Sequence, residues 1–301
     1  MRPTPKGILP AMITPLTKDY KVNVPALRKL IDFLIDGGVH GIFAIGTTGE
    51  FYALSNAEYQ EILEVTIDQV KGRVPISAGV NAIGTRESIA LAKIAEKAGV
   101  SSLSALTPYF ITINQNELHD HFAAIARSTS LPMTLYDNPP KTHLQIKPAT
   151  VERLAKIPNI VGIKDSSGDL TNTADIINRT RGMEFGVMMG NDRLVHAGLA
   201  YGATGAVLAS ANVAPKLTSD IYNKYMAGDI AGSLEDQYKL VPLHIAFTLG
   251  SFPTVIKEAL ELLGIESGPC AAPASPMSAE EKEQLKKILK EMKLLDQGGL
   301  K

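Results

Sequence analysis

Short apolar runs alternate with amphipathic stretches through the first three quarters of the chain. The runs cover 7–14, 41–45, 75–80, 102–106, 132–136, 160–164, 184–189 and 205–209. They are brief and several are rich in Ile and Val, which suits parallel strands buried on both faces. Between them, apolar residues recur at helical spacing. Leu27, Leu30, Ile31 and Leu34 mark one face, with Gly37 placed to end that helix. Ser55-Asn56-Ala57-Glu58 reads as a capping box ahead of a face made by Tyr59, Ile62, Leu63, Thr66 and Val70. Thr85 is placed to cap a third helix, which Gly99 stops. Later helices fit 116–128, 148–155, 170–179, 193–200 and 213–226.

Eight strand–helix units in roughly 225 residues give about 28 residues per unit, the spacing of a β/α repeat. An open doubly wound sheet would carry a Gly-rich dinucleotide fingerprint after its first strand, and none stands there. The expected fold is therefore an α/β (β/α)8 TIM barrel over residues 1–226, with a C-terminal helical extension over 227–301. That extension reads as helices near 230–247, 254–263 and 278–295, the last two joined by a Pro- and Ala-rich loop. The final QGGLK is expected to fray.

Composition narrows the function without naming it. The chain is 45% hydrophobic and 20% charged, ordinary for a globular protein. A formal net charge of −1 gives no bulk attraction to nucleic acid or an anionic membrane. A single cysteine, Cys270, excludes an intramolecular disulfide and any cysteine-rich metal site, and reads as a small buried side chain. No window holds the roughly 18 uninterrupted apolar residues of a spanning helix, and the start MRPTPKGILPAMITPL does not read as a signal peptide. A cytoplasmic protein is expected.

In a β/α barrel the chemistry sits at the C-terminal ends of the strands. Those ends carry Gly46-Thr47-Thr48-Gly49-Glu50, Tyr136-Asp137-Asn138-Pro139-Pro140-Lys141, Gly162-Ile163-Lys164-Asp165 and Gly190-Asn191-Asp192. Lys164, directly after Ile-Val-Gly-Ile, should point into the barrel mouth. Burial disfavours the charged form of an amine, and a neutral amine attacks carbonyl carbon. From position alone, a solvated or salt-bridged lysine fits equally well. Tyr136 could exchange protons with an adduct on that amine, or pack on the rim with its hydroxyl in water. The GTTG turn offers backbone N–H groups and two hydroxyls to a carboxylate or phosphate, or it is an ordinary turn. It lacks the Gly-Lys-Ser/Thr ending of a Walker A loop.

Three segments occur in order: GTTGE, TLYDNPP and GIKDSSGD. Together they resemble the dihydrodipicolinate synthase / N-acetylneuraminate lyase family of pyruvate-dependent class I aldolases. Leu106-Thr107-Pro108-Tyr109, Gly190-Asn191-Asp192, Gly205-Ala206-Val207 and Ala211-Asn212-Val213 extend the likeness over nearly the whole chain. The resemblance implies that Lys164 condenses with C2 of pyruvate and that Tyr136 carries protons. It implies that Thr47 relays them through the Tyr136 hydroxyl. Thr48 and the neighbouring N–H groups, including Gly49, would hold the carboxylate. The Val207 carbonyl would contact pyruvate, with Gly190 and Lys141 also at the substrate. The partners are pyruvate and an aldehyde; no cofactor and no metal are implied. A homotetramer built from dimers is implied as well.

Some positions depart from the family pattern. Phe110 stands where synthases commonly place a relay tyrosine reached from a neighbouring subunit. Lys141 stands where they place an arginine, keeping the charge but losing the bidentate fork. Ile83 replaces a polar amide of the lysine-feedback site. Phe51 resembles the aldolases of 2-keto-3-deoxy sugar acids. The leading expectation is therefore a 2-keto-3-deoxy sugar-acid aldolase. Dihydrodipicolinate synthase is the alternative, followed by N-acetylneuraminate lyase, and a non-catalytic barrel module is the reading from another class. Candidates to select the second substrate are Asn138, Lys141, His143, Asp192 and Ser210, although a cap of the next helix is the favoured reading of Asp192 and an ordinary loop histidine that of His143.

Overall fold

The eight apolar runs form eight parallel strands in the computed structural model, which describes residues 4–295. They are β1 (Gly7–Pro10), β2 (Ile42–Ala44), β3 (Ile76–Gly79), β4 (Ser102–Leu106), β5 (Met133–Asp137), β6 (Ile160–Asp165), β7 (Gly186–Met189) and β8 (Gly205–Leu208). Their order is β1-β8-β7-β6-β5-β4-β3-β2, and a parallel bridge from Ala11 to Phe43 brings β1 against β2. The result is a TIM barrel.

Alternation along the strands sorts residues between two compartments. Ile8, Ile42, Leu103, Leu135, Ile163 and Val187 face outward into the large core shared with the helices. Ala11, Phe43, Met188 and Val207 face inward and form a small separate cluster. Register fixes what lies at each height. Leu106, Tyr136, Lys164 and Met188 are successive partners across β4 to β7. One layer below are Ser104, Thr134, Gly162 and Gly186, all small. A Cβ on Gly186 would lie 2.7 Å from the Pro5 carbonyl oxygen, so the N-terminal segment needs that glycine to close the barrel floor.

Around the strands lie α1 (Val24–Asp36), α2 (Asn56–Val70), α3 (Thr85–Ala98), α4 (Gln115–Arg127), α5 (Pro139–Thr142), α6 (Pro148–Leu154), α7 (Leu170–Arg179), α8 (Val195–Tyr201) and α9 (Pro215–Met226). Beyond them come α10 (Ile230–Ala246), α11 (Thr254–Leu262) and α12 (Ala279–Glu291). The capping box forms as expected, Ser55 accepting from the Glu58 N–H and Glu58 from the Ser55 N–H. Gly37 ends α1 by donating to the Phe33 carbonyl.

Several expectations need correction. Thr85 does not cap α3: Gly84 holds the cap position, and the Thr85 hydroxyl bonds His121 Nδ1 at 2.8 Å instead. The first run is a strand only to Pro10, because the chain then turns toward Phe43. The short helix α5, started by two prolines, was not read from the sequence. Tyr136 and Lys164 are the last but one residues of their strands, not the last. The expected fraying of QGGLK falls outside the described residues. Among the described residues, no helix is long and apolar enough to cross a membrane.

Candidate active site

Because β5 and β6 are parallel and in register at Tyr136 and Lys164, both side chains leave the sheet toward the barrel interior at the same height. The Lys164 Nζ lies 4.1 Å from the centre of the Tyr136 ring and 5.0 Å from that of Phe43. Lys164 is buried at 5% exposure and makes no ion pair among those described. The solvated and salt-bridged alternatives for this lysine therefore do not hold.

The Tyr136 hydroxyl lies 3.3 Å from Thr47 Oγ1 and accepts a hydrogen bond from Asn138 Nδ2 at 2.9 Å. Burial pushes the phenol up, but the adjacent Lys164 charge and the bonds to Thr47 and Asn138 outweigh it, and its pKa falls below the ordinary tyrosine value. Tyr136 does not sit on the rim with its hydroxyl in water; it is 3% exposed.

A cavity of about 340 Å³ opens above these groups. Thr47, Thr48, Tyr136, Asn138, Lys141, Lys164, Gly190 and Val207 all line it, so most of the sequence candidates converge there. Gly49 lies behind the wall: its carbonyl accepts from Thr14 Oγ1 at 2.8 Å, and a Cβ there would meet the Met12 carbonyl at 2.9 Å. Lys141, on α5, places its ammonium 5.2 Å from the ring centre of Phe252, a residue of the segment between α10 and α11.

Of the other candidates, Asp192 stays at the wall of the mouth, and His143, Ser210, Phe51 and Phe110 fall away from it. His143 is exposed and ends α5 in a left-handed conformation (φ 55°). Ser210 is buried, and both its N–H and its hydroxyl donate to Asp192 Oδ1. Asp192 lines the cavity but does not cap the following turn; Asn191 does, accepting from the Arg193 N–H. Phe51 turns into a different cavity, with its ring 6.1 Å from that of Tyr109, so it gives no direct contact for a substrate at Lys164. Phe110 is 93% exposed with φ 76° and does not reach the mouth of its own barrel.

Sequence reasoning missed Phe43, Ser166, Asn191 and Phe252 at the site. Phe43 could have been found from β2 alternation, since its inward side chain must meet Tyr136; their rings stand edge to face at 6.3 Å. Phe252 lies about 88 residues beyond Lys164, and no local pattern brings it there. The GTTG turn is bracketed by two left-handed non-glycine residues, Ile45 and Glu50, both at φ 57°. For β-branched Ile45 that conformation is costly, and such strain is retained where surrounding structure holds it for a purpose.

Comparison with known proteins agrees with this geometry. A family model described as "Dihydrodipicolinate synthetase family" matches residues 4–292. The 4-hydroxy-tetrahydrodipicolinate synthase of Methanopyrus kandleri is 37% identical over 296 residues, covering 98% of each chain. That of Pseudomonas aeruginosa is 35% identical, covering 96% of this chain and 99% of its own. Among solved structures, YagE is a prophage protein of the dihydrodipicolinic acid synthase family from E. coli K12, solved in complex with pyruvate. It superposes with a TM-score of 0.92 at 34% identity, over 96% of this chain and 99% of its own. The chloride-inhibited dihydrodipicolinate synthase from Acinetobacter baumannii, complexed with pyruvate, gives 0.93 at 34% identity over the same shares. The chain belongs to the dihydrodipicolinate synthetase family and is an enzyme of its class I aldolase type.

Proposed function

We propose that this protein is a 4-hydroxy-tetrahydrodipicolinate synthase, condensing pyruvate with aspartate semialdehyde through an imine on Lys164. The observation that carries the reading is the buried Lys164 amine stacked 4.1 Å from the Tyr136 ring, with the phenol hydroxyl bonded to Thr47 and Asn138. The curated relatives named above support the synthase over the sugar-acid aldolase expected from the sequence. One of the two cues for that aldolase was Phe51, and Phe51 turns away from the mouth.

Lys164 Nζ attacks C2 of pyruvate, and the carbinolamine loses water to give an iminium. The iminium draws electrons from C3, which gives up a proton and leaves an enamine. Tyr136 moves these protons, with Thr47 as its relay. Thr48 and the N–H groups at Gly49 hold the pyruvate carboxylate, while the Val207 carbonyl and Gly190 border the bound molecule. Enamine C3 then bonds to the aldehyde carbon, whose oxygen takes a proton. The amino group of the semialdehyde displaces Lys164 from C2, closing a six-membered ring and freeing the enzyme. Lys141 supplies the positive charge for the carboxylate of the second substrate. The working form in this reading is a cytoplasmic homotetramer, and Phe110, exposed on its own barrel, lies in a contact between subunits.

Phe110 has no hydroxyl, and this keeps a 2-keto-3-deoxy sugar-acid aldolase as the second reading. Borohydride reduction with pyruvate, followed by peptide mass spectrometry, should place a reduced pyruvyl group on Lys164. An unlabelled Lys164 would sink the imine mechanism. Initial rates with aspartate semialdehyde and with a sugar-acid panel then decide the substrate. Turnover of the panel alone would replace the synthase with the second reading.

A further inference from the structure

The carboxylate of Glu50 lies behind the turn that carries Thr47 and Thr48, in an electrostatic setting the mechanism above does not use. Its backbone is left-handed (φ 57°, ψ 39°), and its side chain is 1% exposed. The Glu50 N–H donates to the Thr47 carbonyl at 3.2 Å, so its backbone is part of the turn itself. Glu50 Oε1 pairs with Lys257 Nζ at 2.6 Å, and Lys257 is 2% exposed. Glu50 Oε2 accepts from the Ala271 N–H at 2.6 Å, and Lys257 also donates to the Pro269 carbonyl at 2.8 Å. Ser267 Oγ donates to the Lys257 carbonyl at 2.8 Å, which fixes the start of this loop to α11. A residue of the barrel's second βα turn is thus locked to α11 and to the loop that follows it.

A turn whose N–H groups and hydroxyls receive an anion is a poor place for an uncompensated carboxylate, because a buried negative charge repels the incoming one through low-dielectric surroundings. We propose that Lys257 is a positioning residue that acts through its charge on the substrate carboxylate: it neutralises Glu50 behind the Thr47–Gly49 turn, so that the turn can receive an anion. This rests on the reading that Thr48 and its neighbours bind the pyruvate carboxylate. The C-terminal helices then belong to the binding apparatus. The segment between α10 and α11 contributes Phe252 to the wall of the mouth, and α11 contributes Lys257 to the far side of the turn.

The sign of the charge distinguishes this from a merely structural tie. Lys257→Met leaves a buried anion behind the turn. Glu50→Gln leaves a buried cation there. Lys257→Met with Glu50→Gln leaves neither, and replacing both partners of a buried pair is far milder than removing one. The readout is exchange of the pyruvate methyl protons in D2O, followed by NMR against pyruvate concentration, since it needs no second substrate. Thermal melting of each variant is run alongside.

We expect Lys257→Met to raise the half-saturating pyruvate concentration about tenfold or more, with a smaller fall in maximal exchange rate. Glu50→Gln should leave half-saturation equal to or below the unmodified protein's. The double variant should recover to within about threefold. Equal weakening by both single variants, or unchanged half-saturation in Lys257→Met, overturns the proposal. If Lys257→Met does not fold, the Glu50→Gln and double variants still decide it, because a tie without charge logic predicts weakened binding in both. Absence of exchange and of borohydride labelling in the unmodified protein would instead overturn the imine reading itself, and the two failures are separable.

Discussion

Tyr136 sits under two opposing pressures. Burial resists its ionisation, while the Lys164 charge and the hydrogen bonds from Thr47 and Asn138 favour it, and the balance lowers its pKa. A phenol poised in that way gives and takes a proton more readily than a free tyrosine, which is what both directions of the C3 and aldehyde-oxygen steps require. Asn138→Leu removes the 2.9 Å donor from the phenol oxygen. It should therefore move the tyrosinate transition upward and shift the alkaline limb of the rate profile the same way. Tyr136→Phe should cost roughly 10²- to 10⁴-fold in turnover while borohydride labelling of Lys164 persists, slowed. Ultraviolet titration of the tyrosinate band and a pH–rate series check the first. Loss of labelling in Tyr136→Phe would show instead that the phenol is needed for the amine's placement. In the sequence, strand-end position marked these two residues as candidates, and the resemblance of the GTTGE, TLYDNPP and GIKDSSGD segments to the family gave them their roles. Their mutual register was not readable: it depends on a shift in the β5–β6 pairing between Met133 and Thr134, which no local pattern encodes.

At the scale of elements, β5 and β6 present a second matched pair one residue further on, Asp137 and Asp165, also register partners. Asp165 is satisfied by the Ser167 N–H, Asn172 and Thr173. Asp137 accepts from the Ile146 N–H through Oδ1, and its Oδ2 has no partner. Burial first, and the Asp165 charge in addition, raise its pKa from 3.8 to about 8. The folded chain thus keeps a proton that the unfolded chain releases from about pH 4 upward. The associated stability is fully present below the unfolded pKa and is lost as pH rises through about 8. Asp137→Asn keeps the acceptor for Ile146 and removes the ionisation. It should flatten this pH slope and be the more stable form above pH 8 by about 1–3 kcal/mol. Urea unfolding at several pH values measures it, and an unchanged slope would place the titrating group elsewhere. A second element contact is steric. A Cβ on Gly205 of β8 would lie 2.1 Å from the Gly7 carbonyl oxygen of β1, backbone against backbone. Gly205→Ala should destabilise by about 1–3 kcal/mol or more through forced separation of the strands, visible as a lowered melting temperature. Periodicity predicted that both runs are strands but not that they pack this closely, because the distance is set by barrel closure.

At the scale of the whole molecule, the order of eight β/α units was legible from spacing, and the closed barrel followed from it. What spacing does not carry is where chain far along the sequence returns. Phe252 and Lys257 come from the C-terminal helical segment to the mouth and to the back of the GTTGE turn, and Glu50 gave no signal of its partner. A surface residue poses the corresponding question for assembly. Phe110 is 93% exposed with φ 76°, and Ile111 beside it is 50% exposed. A single exposed apolar side chain is unremarkable on a monomer. An aromatic held outward in a left-handed conformation, next to a second apolar residue in the loop after β4, is instead suited to insertion into another subunit. Phe110→Asp should then lower the sedimentation-velocity mass at micromolar protein while the barrel's circular dichroism is retained. If sedimentation shows an assembly that this variant leaves unchanged, α10 offers the alternative face. Tyr238, Val241 and Ile245 are exposed there at spacings of three and four residues, while Leu240 and Leu243 are buried beneath. Val241→Lys would then dissociate the assembly where Phe110→Asp did not, so the pair of variants assigns the contact to one of the two faces.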